Sequence, residues 1–176
     1  MKGRDLVSIA DLDSDEIWRI LHLAKWLKSE FNAGRRPPLL TGTVVALLFE
    51  KPSLRTRMSF DVGVNHLNGH CIYLSPDEVG LGAMERVQDV ARVVSTHADV
   101  LVARTFKHQT VNDLAHHADC SVVNGLSDMC HPTQALADML TIWERLGRLE
   151  GVKVCYLGDG NNVANSLALA SALLGI

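Results

Sequence analysis

The sequence predicts an α/β fold in which a parallel sheet is flanked by helices. Three observations predict it. After a first helical stretch, short apolar runs alternate with longer amphipathic ones, and this strand-then-helix unit recurs five times. The apolar runs are rich in Val, Ile and Leu and barely alternate with polar residues, the pattern of strands buried on both faces. Polar residues with useful chemistry follow the runs rather than interrupt them, and in a parallel sheet that is the rim where ligands gather.

The elements follow in order. Ser14 reads as an N-cap, with Asp15 and Glu16 in the first turn. Ile17, Ile20, Leu21, Ala24, Leu27 and Phe31 continue at helical spacing to a stop at Gly34. Arg35-Arg36-Pro37-Pro38 is a solvated connector. A strand over 43–49 leads into a helix over 55–67, which carries Met58, Phe60, Val64 and Leu67 and ends at Asn68-Gly69. A short strand over 71–74 precedes an exposed loop over 75–84, rich in Gly, Pro and Asp. The helix over 86–96 gathers Val87, Val90, Ala91 and Val94 on one face. A strand over 100–103 ends at Arg104; a short helix over 111–117, a strand over 122–123 and a loop over 124–130 follow. The helix over 133–146 aligns Leu136, Met139, Leu140 and Trp143 and stops at Gly147. A strand over 152–157 and a helix over 162–174 complete the series.

Composition sets the class. The 176 residues are 47% hydrophobic and 21% charged, with net charge −3, enough apolar material for one good-sized core. The mild acidity, without a basic run or an aromatic-basic stripe, argues against a nucleic-acid surface. Residues 1–10 carry Lys2, Arg4 and Asp5 with no long apolar stretch behind them, against a secretory signal. The longest apolar runs are too short to span a bilayer, so no membrane partner is expected. Cys71, Cys120, Cys130 and Cys155 are scattered without a C-x-x-C, three of them in or beside apparent strands, and a reducing cytoplasm is the simplest home. No His/Cys/Asp set has zinc spacing, so no metal is expected, and His108, His116 and His117 read as surface residues. Gly158-Asp159-Gly160 lacks the third glycine of a dinucleotide fingerprint, because Val163 stands there; no cofactor is expected.

The rim rule selects the residues to watch. Ser53, Arg55, Thr56 and Arg57 follow the first strand at a helix start, where free N–H groups and the helix dipole favour an anion. Guanidiniums and hydroxyls add planar, multi-donor contacts suited to phosphate oxygens. Taken alone, that loop fits a capped helix with solvated arginines equally well, and Arg104 alone fits an ion pair. Arg104 after the third strand and His131 with Gln134 after the fourth reach the same rim. Together these groups suit a phosphate joined to a polar carbonyl compound. No Asp/Glu pair stands beside them for acid/base work.

These motifs resemble the aspartate/ornithine carbamoyltransferase family, its ornithine branch most closely. Phe49-Glu50-Lys51-Pro52-Ser53-Leu54-Arg55-Thr56-Arg57 looks like the family's Ser-Thr-Arg-Thr-Arg phosphate loop. His131-Pro132-Thr133-Gln134 followed by Ala137-Asp138 is similar to its His-Pro-x-Gln motif, and Arg104-Thr105-Phe106 to a third carbamoyl-phosphate contact. Gly158-Asp159-Gly160-Asn161-Asn162 resembles the turn that opens the ornithine-binding domain. The resemblance implies that Ser53, Leu54 (through its N–H), Arg55 and Thr56 hold the phosphate while Arg57 braces the loop. Arg104 would bridge phosphate and carbonyl. His131, at the head of Pro132, Thr133 and Gln134, would donate to the carbonyl oxygen, and Gln134 would accept from the carbamoyl amide. Asn162 would touch the amino-acid part of L-ornithine. Arg55, Arg104 and His131 would be the catalytic groups, the products L-citrulline and phosphate, and the assembly a homotrimer.

The sequence also departs from the family pattern. Leu54 stands where the signature has Thr, and 80–86 matches only loosely the loop that reaches a neighbouring subunit's site. The family's Asp-x-x-x-Ser-Met-Gly and His-Cys-Leu-Pro motifs are absent, so the expected division is a carbamoyl-phosphate domain over 1–148 and the first strand and helix of a second α/β domain over 149–176. Two alternatives stand beside ornithine carbamoyl transfer: a phosphate-binding module without turnover, or transfer to aspartate, acetylornithine or putrescine. Residues 152–174 would lack cover, so deletion after Gly151 is expected to improve solubility.

Overall fold

The computed structural model describes residues 3–81 and 85–176. Four strands, β1 (Val44–Phe49), β2 (His70–Leu74), β3 (Val100–Arg104) and β4 (Ser121–Leu126), form one parallel sheet in the order β2-β1-β3-β4. The chain builds outward from β1 to β2, then crosses back to place β3 on the other side of β1. The carboxyl ends of β1 and β3 therefore flank the topological switch point, where an open α/β sheet leaves a crevice. Phe49 pairs with Arg104, and Arg104 with Leu126, so three strand ends lie side by side.

The residue period of two divides the core. Ala46, Leu48, Leu101, Ala103 and Val122 face helices α4 (Val87–Ser95) and α5 (His108–His117), packing with Val90, Ala91, Val111 and Leu114. Val45, Leu47, Phe49 and Val102 face the other way and pack with Val64 and Phe60 of α2 (Leu54–His66). A third cluster joins α1 (Ser14–Asn32), α6 (Pro132–Leu146) and α7 (Asn162–Leu174) through Ile17, Leu21, Leu136, Met139, Ala170 and Leu174. Gly147 closes α6 in the left-handed region at φ 73°, as the sequence anticipates.

Several elements differ from the sequence reading. The α1 N-cap is Asp13, not Ser14: its carboxylate accepts from Glu16 N at 2.8 Å while Glu16 Oε2 accepts from Asp13 N at 3.1 Å. A carboxylate one residue earlier captures the cap, and Ser14 becomes the first helical residue. Within the expected loop, Pro76–Val79 is a short helix, α3, and Leu81 bridges to Glu85; positions 82–84 of the expected subunit-reaching loop lie outside the described residues. β4 runs on through 124–126, and α5 starts at His108 rather than at 111. Residues 152–157 are not a strand. A parallel strand exists only by pairing with a neighbour, and no described residue pairs with this segment, so Leu157 is 89% exposed and Cys155 is exposed rather than a buried thiol. Helix α7 does find a partner, α6, so the cover that residues 152–174 were expected to lack is present for 162–174. One further pairing has no sign in the sequence: Leu6 N donates to Val122 O and Asn124 N to Leu6 O, both at 2.8 Å, tying the N-terminal segment to β4.

Candidate active site

The three strand ends open into a cavity of about 730 Å³. Seven of the residues selected from sequence line it: Ser53, Arg55, Thr56, Arg104, His131, Thr133 and Gln134. Leu54 and Pro132 belong to its helices without lining it. Leu54 points its side chain to solvent at 74% exposure, and Pro132 is the buried first residue of α6.

The phosphate-loop candidates form a defined structure. Ser53 caps α2, its Oγ accepting from Thr56 N at 3.3 Å and donating to Thr56 Oγ1 at 3.0 Å. The α2 N-terminus thus faces the cavity with its remaining N–H groups and the positive end of its dipole. Arg55 is exposed, and its guanidinium makes no hydrogen bond or ion pair among the described residues. The Arg57 guanidinium lies over the ring of Tyr73 on β2, 3.8 Å from its centroid.

Arg104 ties the loop to β3. It is 9% exposed; its Nε donates to Lys51 O at 3.2 Å and its Nη1 to Thr56 Oγ1 at 3.4 Å, while its carbonyl accepts from Glu50 N at 2.9 Å. Glu50 adds a crossing contact, Oε2 accepting from Phe106 N at 2.9 Å. Burial and the neighbouring Arg55 charge lower the Arg104 guanidinium from its ordinary value, yet no carboxylate pairs with it among the described residues. A buried, unneutralised cation beside a second, unengaged cation calls for an anion between them. The β3–β4 ladder slips by one residue here, and the extra residue is Gly125, where a Cβ would stand 3.3 Å from Val102 Cγ1. Such a bulge re-aims the side chains that follow it, here Leu126 at the cavity wall.

The opposite wall comes from α6. His131 is its N-cap, half-buried, with Nδ1 3.4 Å from Thr133 Oγ1. Burial, then the Arg104 charge, push the imidazole below its ordinary value; Asp138 opposes this in part. The ring is therefore neutral near pH 7 and keeps one N–H to donate. Gln134 Nε2 donates to Asp138 Oδ1 at 2.8 Å, leaving its amide oxygen as an acceptor. Ser59 and Asp138, which the sequence reading did not assign, also line the cavity. Each stands four residues after an assigned one, Arg55 and Gln134, so helical periodicity was the signal that could have found them.

Asn162 lies outside the lining. Its Nδ2 donates to Ser127 O at 2.6 Å, while its neighbour Val163 reaches the cavity. His108 is half-buried rather than on the surface, its Nδ1 2.9 Å from Ser127 Oγ. Among the described residues no group of His, Cys, Asp and Glu could hold a metal ion.

The arrangement offers two cations, a helix N-terminus and hydroxyls at one end, and a neutral imidazole with a free amide oxygen at the other. Residues 4–144 match the family model described as aspartate/ornithine carbamoyltransferase, carbamoyl-P binding domain. An ornithine carbamoyltransferase of Pyrococcus abyssi is 50% identical over 175 residues, which is 99% of this chain and 55% of that protein. The solved ornithine carbamoyltransferase of Pyrococcus furiosus superposes with TM-score 0.96 at 49% identity, covering 98% of this chain and 55% of that one. An aspartate transcarbamoylase of Trypanosoma cruzi, solved with carbamoyl phosphate and aspartate, superposes with TM-score 0.88 at 28% identity over 98% of this chain and 55% of its own. The chain spans about half the length of the relatives it matches. The match over residues 4–144, most of this chain, makes it a member of the aspartate/ornithine carbamoyltransferase family, of which it carries the carbamoyl-P binding domain.

Proposed function

We propose that the cavity binds carbamoyl phosphate and that the protein transfers the carbamoyl group to the δ-amine of L-ornithine, giving L-citrulline and phosphate. The observation that carries this reading is the position of Arg104. It bonds to Thr56 of the phosphate loop, and its charge reaches His131 on the opposite wall. One guanidinium can therefore touch both halves of a short molecule that is a dianion at one end and a planar amide at the other.

The chemistry follows from the groups present. The phosphate sits against Ser53, Arg55, Thr56 and the α2 N–H groups, that of Leu54 included. His131 donates its N–H to the carbonyl oxygen, and Gln134 Oε1 accepts from the carbamoyl NH₂. The neutral δ-amine attacks the carbamoyl carbon; a C–N bond forms and the C–O bond to phosphate breaks. The fixed cations stabilise negative charge on the carbonyl oxygen and then on the leaving phosphate, which itself takes the amine proton. That route suits a cavity with no paired carboxylates to serve as base. Asn162, whose amide nitrogen is taken by Ser127 O, keeps its amide oxygen to accept from the ornithine α-amine. Ornithine is favoured over aspartate because relatives at 50% and 48% identity are ornithine carbamoyltransferases, whereas the aspartate transcarbamoylase is 28% identical. The division at about residue 148, the homotrimer and the cytoplasmic setting belong to the same proposal. The apolar row Leu54, Met58 and Val62, exposed along α2, offers a surface for self-association.

A second reading is favoured by the span of the chain, about half that of its relatives: residues 1–176 bind carbamoyl phosphate without turning it over. Citrulline formation from carbamoyl phosphate and ornithine decides between the two. Citrulline above the uncatalysed rate supports transfer. Carbamoyl phosphate binding without citrulline supports the module.

A further inference from the structure

One face of α7 grips a backbone segment beside the site. Asn162, Asn165 and Ser166 lie at helical spacing on one face. Asn162 Nδ2 donates to Ser127 O at 2.6 Å, Asn165 Nδ2 donates to Met129 O at 3.0 Å, and Ser166 Oγ accepts from His131 N at 2.9 Å. The three bonds take alternate residues of the segment 127–131, which joins β4 to α6. The segment is also tied to itself, Ser127 N donating to Cys130 O at 2.9 Å and Cys130 N to Ser127 Oγ at 3.1 Å. Ser166 is fully buried, so its hydroxyl has no water to turn to.

His131 needs such support. It caps α6 with no side-chain capping bond, at φ −139° and ψ 69°, outside the regular regions. Among the described residues its ring has one hydrogen-bond contact, the long one to Thr133 Oγ1. The ring direction is therefore inherited from the backbone, and Ser166 fixes that backbone at the residue itself. The phosphate loop at Ser53–Thr56 makes no hydrogen bond with α7 among the described residues, so the two ends of the cavity are held by different elements.

We infer that Ser166, with Asn162 and Asn165 beside it, is a positioning residue that aims the His131 imidazole at the carbonyl end of the bound molecule. The inference rests on the carbamoyl-phosphate reading and extends it: α7 governs how the carbamoyl group is held and leaves phosphate binding alone. A movement of α7 would then be felt at the carbonyl oxygen through these hydrogen bonds, that from His131 N to Ser166 Oγ first among them.

The test is calorimetric titration of the whole chain and its Ser166→Ala variant with inorganic phosphate and with phosphonoacetamide, a stable phosphonate carrying a carboxamide. The expected result is an unchanged phosphate affinity and a roughly fivefold weaker phosphonoacetamide affinity, the scale of one misdirected hydrogen bond. Equal weakening of both ligands would mean Ser166 only supports the fold, and no weakening of either would overturn the inference as well. Should Ser166→Ala not fold, Asn165→Ala, at an exposed position, is expected to give the same split at smaller size. If the wild-type chain shows no preference for phosphonoacetamide, the carbamoyl-phosphate reading fails by itself. Positioning is then read from the His131 ring by NMR. Ser166→Ala should move its titration toward that of a free imidazole, and an unmoved titration would refute the inference.

Discussion

Arg55 and Arg104 divide the work at the scale of single residues. Arg104 is buried and committed to Lys51 and Thr56, whereas Arg55 is exposed and uncommitted. Arg55→Ala should therefore leave the thermal midpoint nearly unchanged while removing measurable phosphate binding, because one charge-assisted contact is worth about 1.5–3 kcal/mol. Unchanged binding in a titration would remove Arg55 from the site. His131 carries a pH prediction. Its imidazole is held below the ordinary 6.5 by burial and by Arg104. The unfolded chain thus binds this proton more readily than the folded one. The folded state suffers nothing from the group above pH 6.5 and loses stability as pH falls from there toward the lower folded value. In denaturant titrations at about pH 7.5 and 5.5, His131→Asn should lose less stability on acidification than the wild type. An equal loss would show that His131 is not held neutral. These residues were legible in the sequence because each follows an apolar run, and the rim rule needs only that order. The commitment of Asn162 to Ser127 O was not legible, since it joins positions 35 apart through a segment with no regular pattern.

Elements were legible where the pattern is local. The bounds of α7 and the Gly147 stop of α6 follow from periodicity and cap chemistry. The failures come where distant partners decide. Residues 152–157 have a strand's composition but no strand to pair with, and Leu6 joins the sheet edge through a single bridge that no periodicity could signal. Helix α7 shows the reverse case, an amphipathic stretch whose partner lies on α6. Leu174 is buried there against the cluster of Met139 and Leu149. Leu174→Ala should cost about 2–5 kcal/mol in a denaturant titration. Removal of 152–176 should lower the thermal midpoint and expose that cluster. An unaltered or higher midpoint would mean that α7 adds nothing to this packing. At the other end of the site, Ser53→Ala should cost about 1 kcal/mol through loss of the α2 cap, and should weaken phosphate binding as well.

The strand order β2-β1-β3-β4 belongs to the whole molecule and could not be read from composition. It puts Phe49 beside Arg104 and Arg104 beside Leu126, and so turns motifs spread over more than eighty positions into one cavity. On the proposed reading, such a cavity selects a molecule with a dianion and a carbonyl amide a few bonds apart. Calorimetric titration of carbamoyl phosphate against inorganic phosphate, on the wild-type chain and on Arg104→Ala, tests this most directly. The expected result is a preference of about tenfold or more for carbamoyl phosphate, from two added hydrogen bonds, that collapses in Arg104→Ala. Equal affinity for the two ligands on the wild-type chain would contradict it.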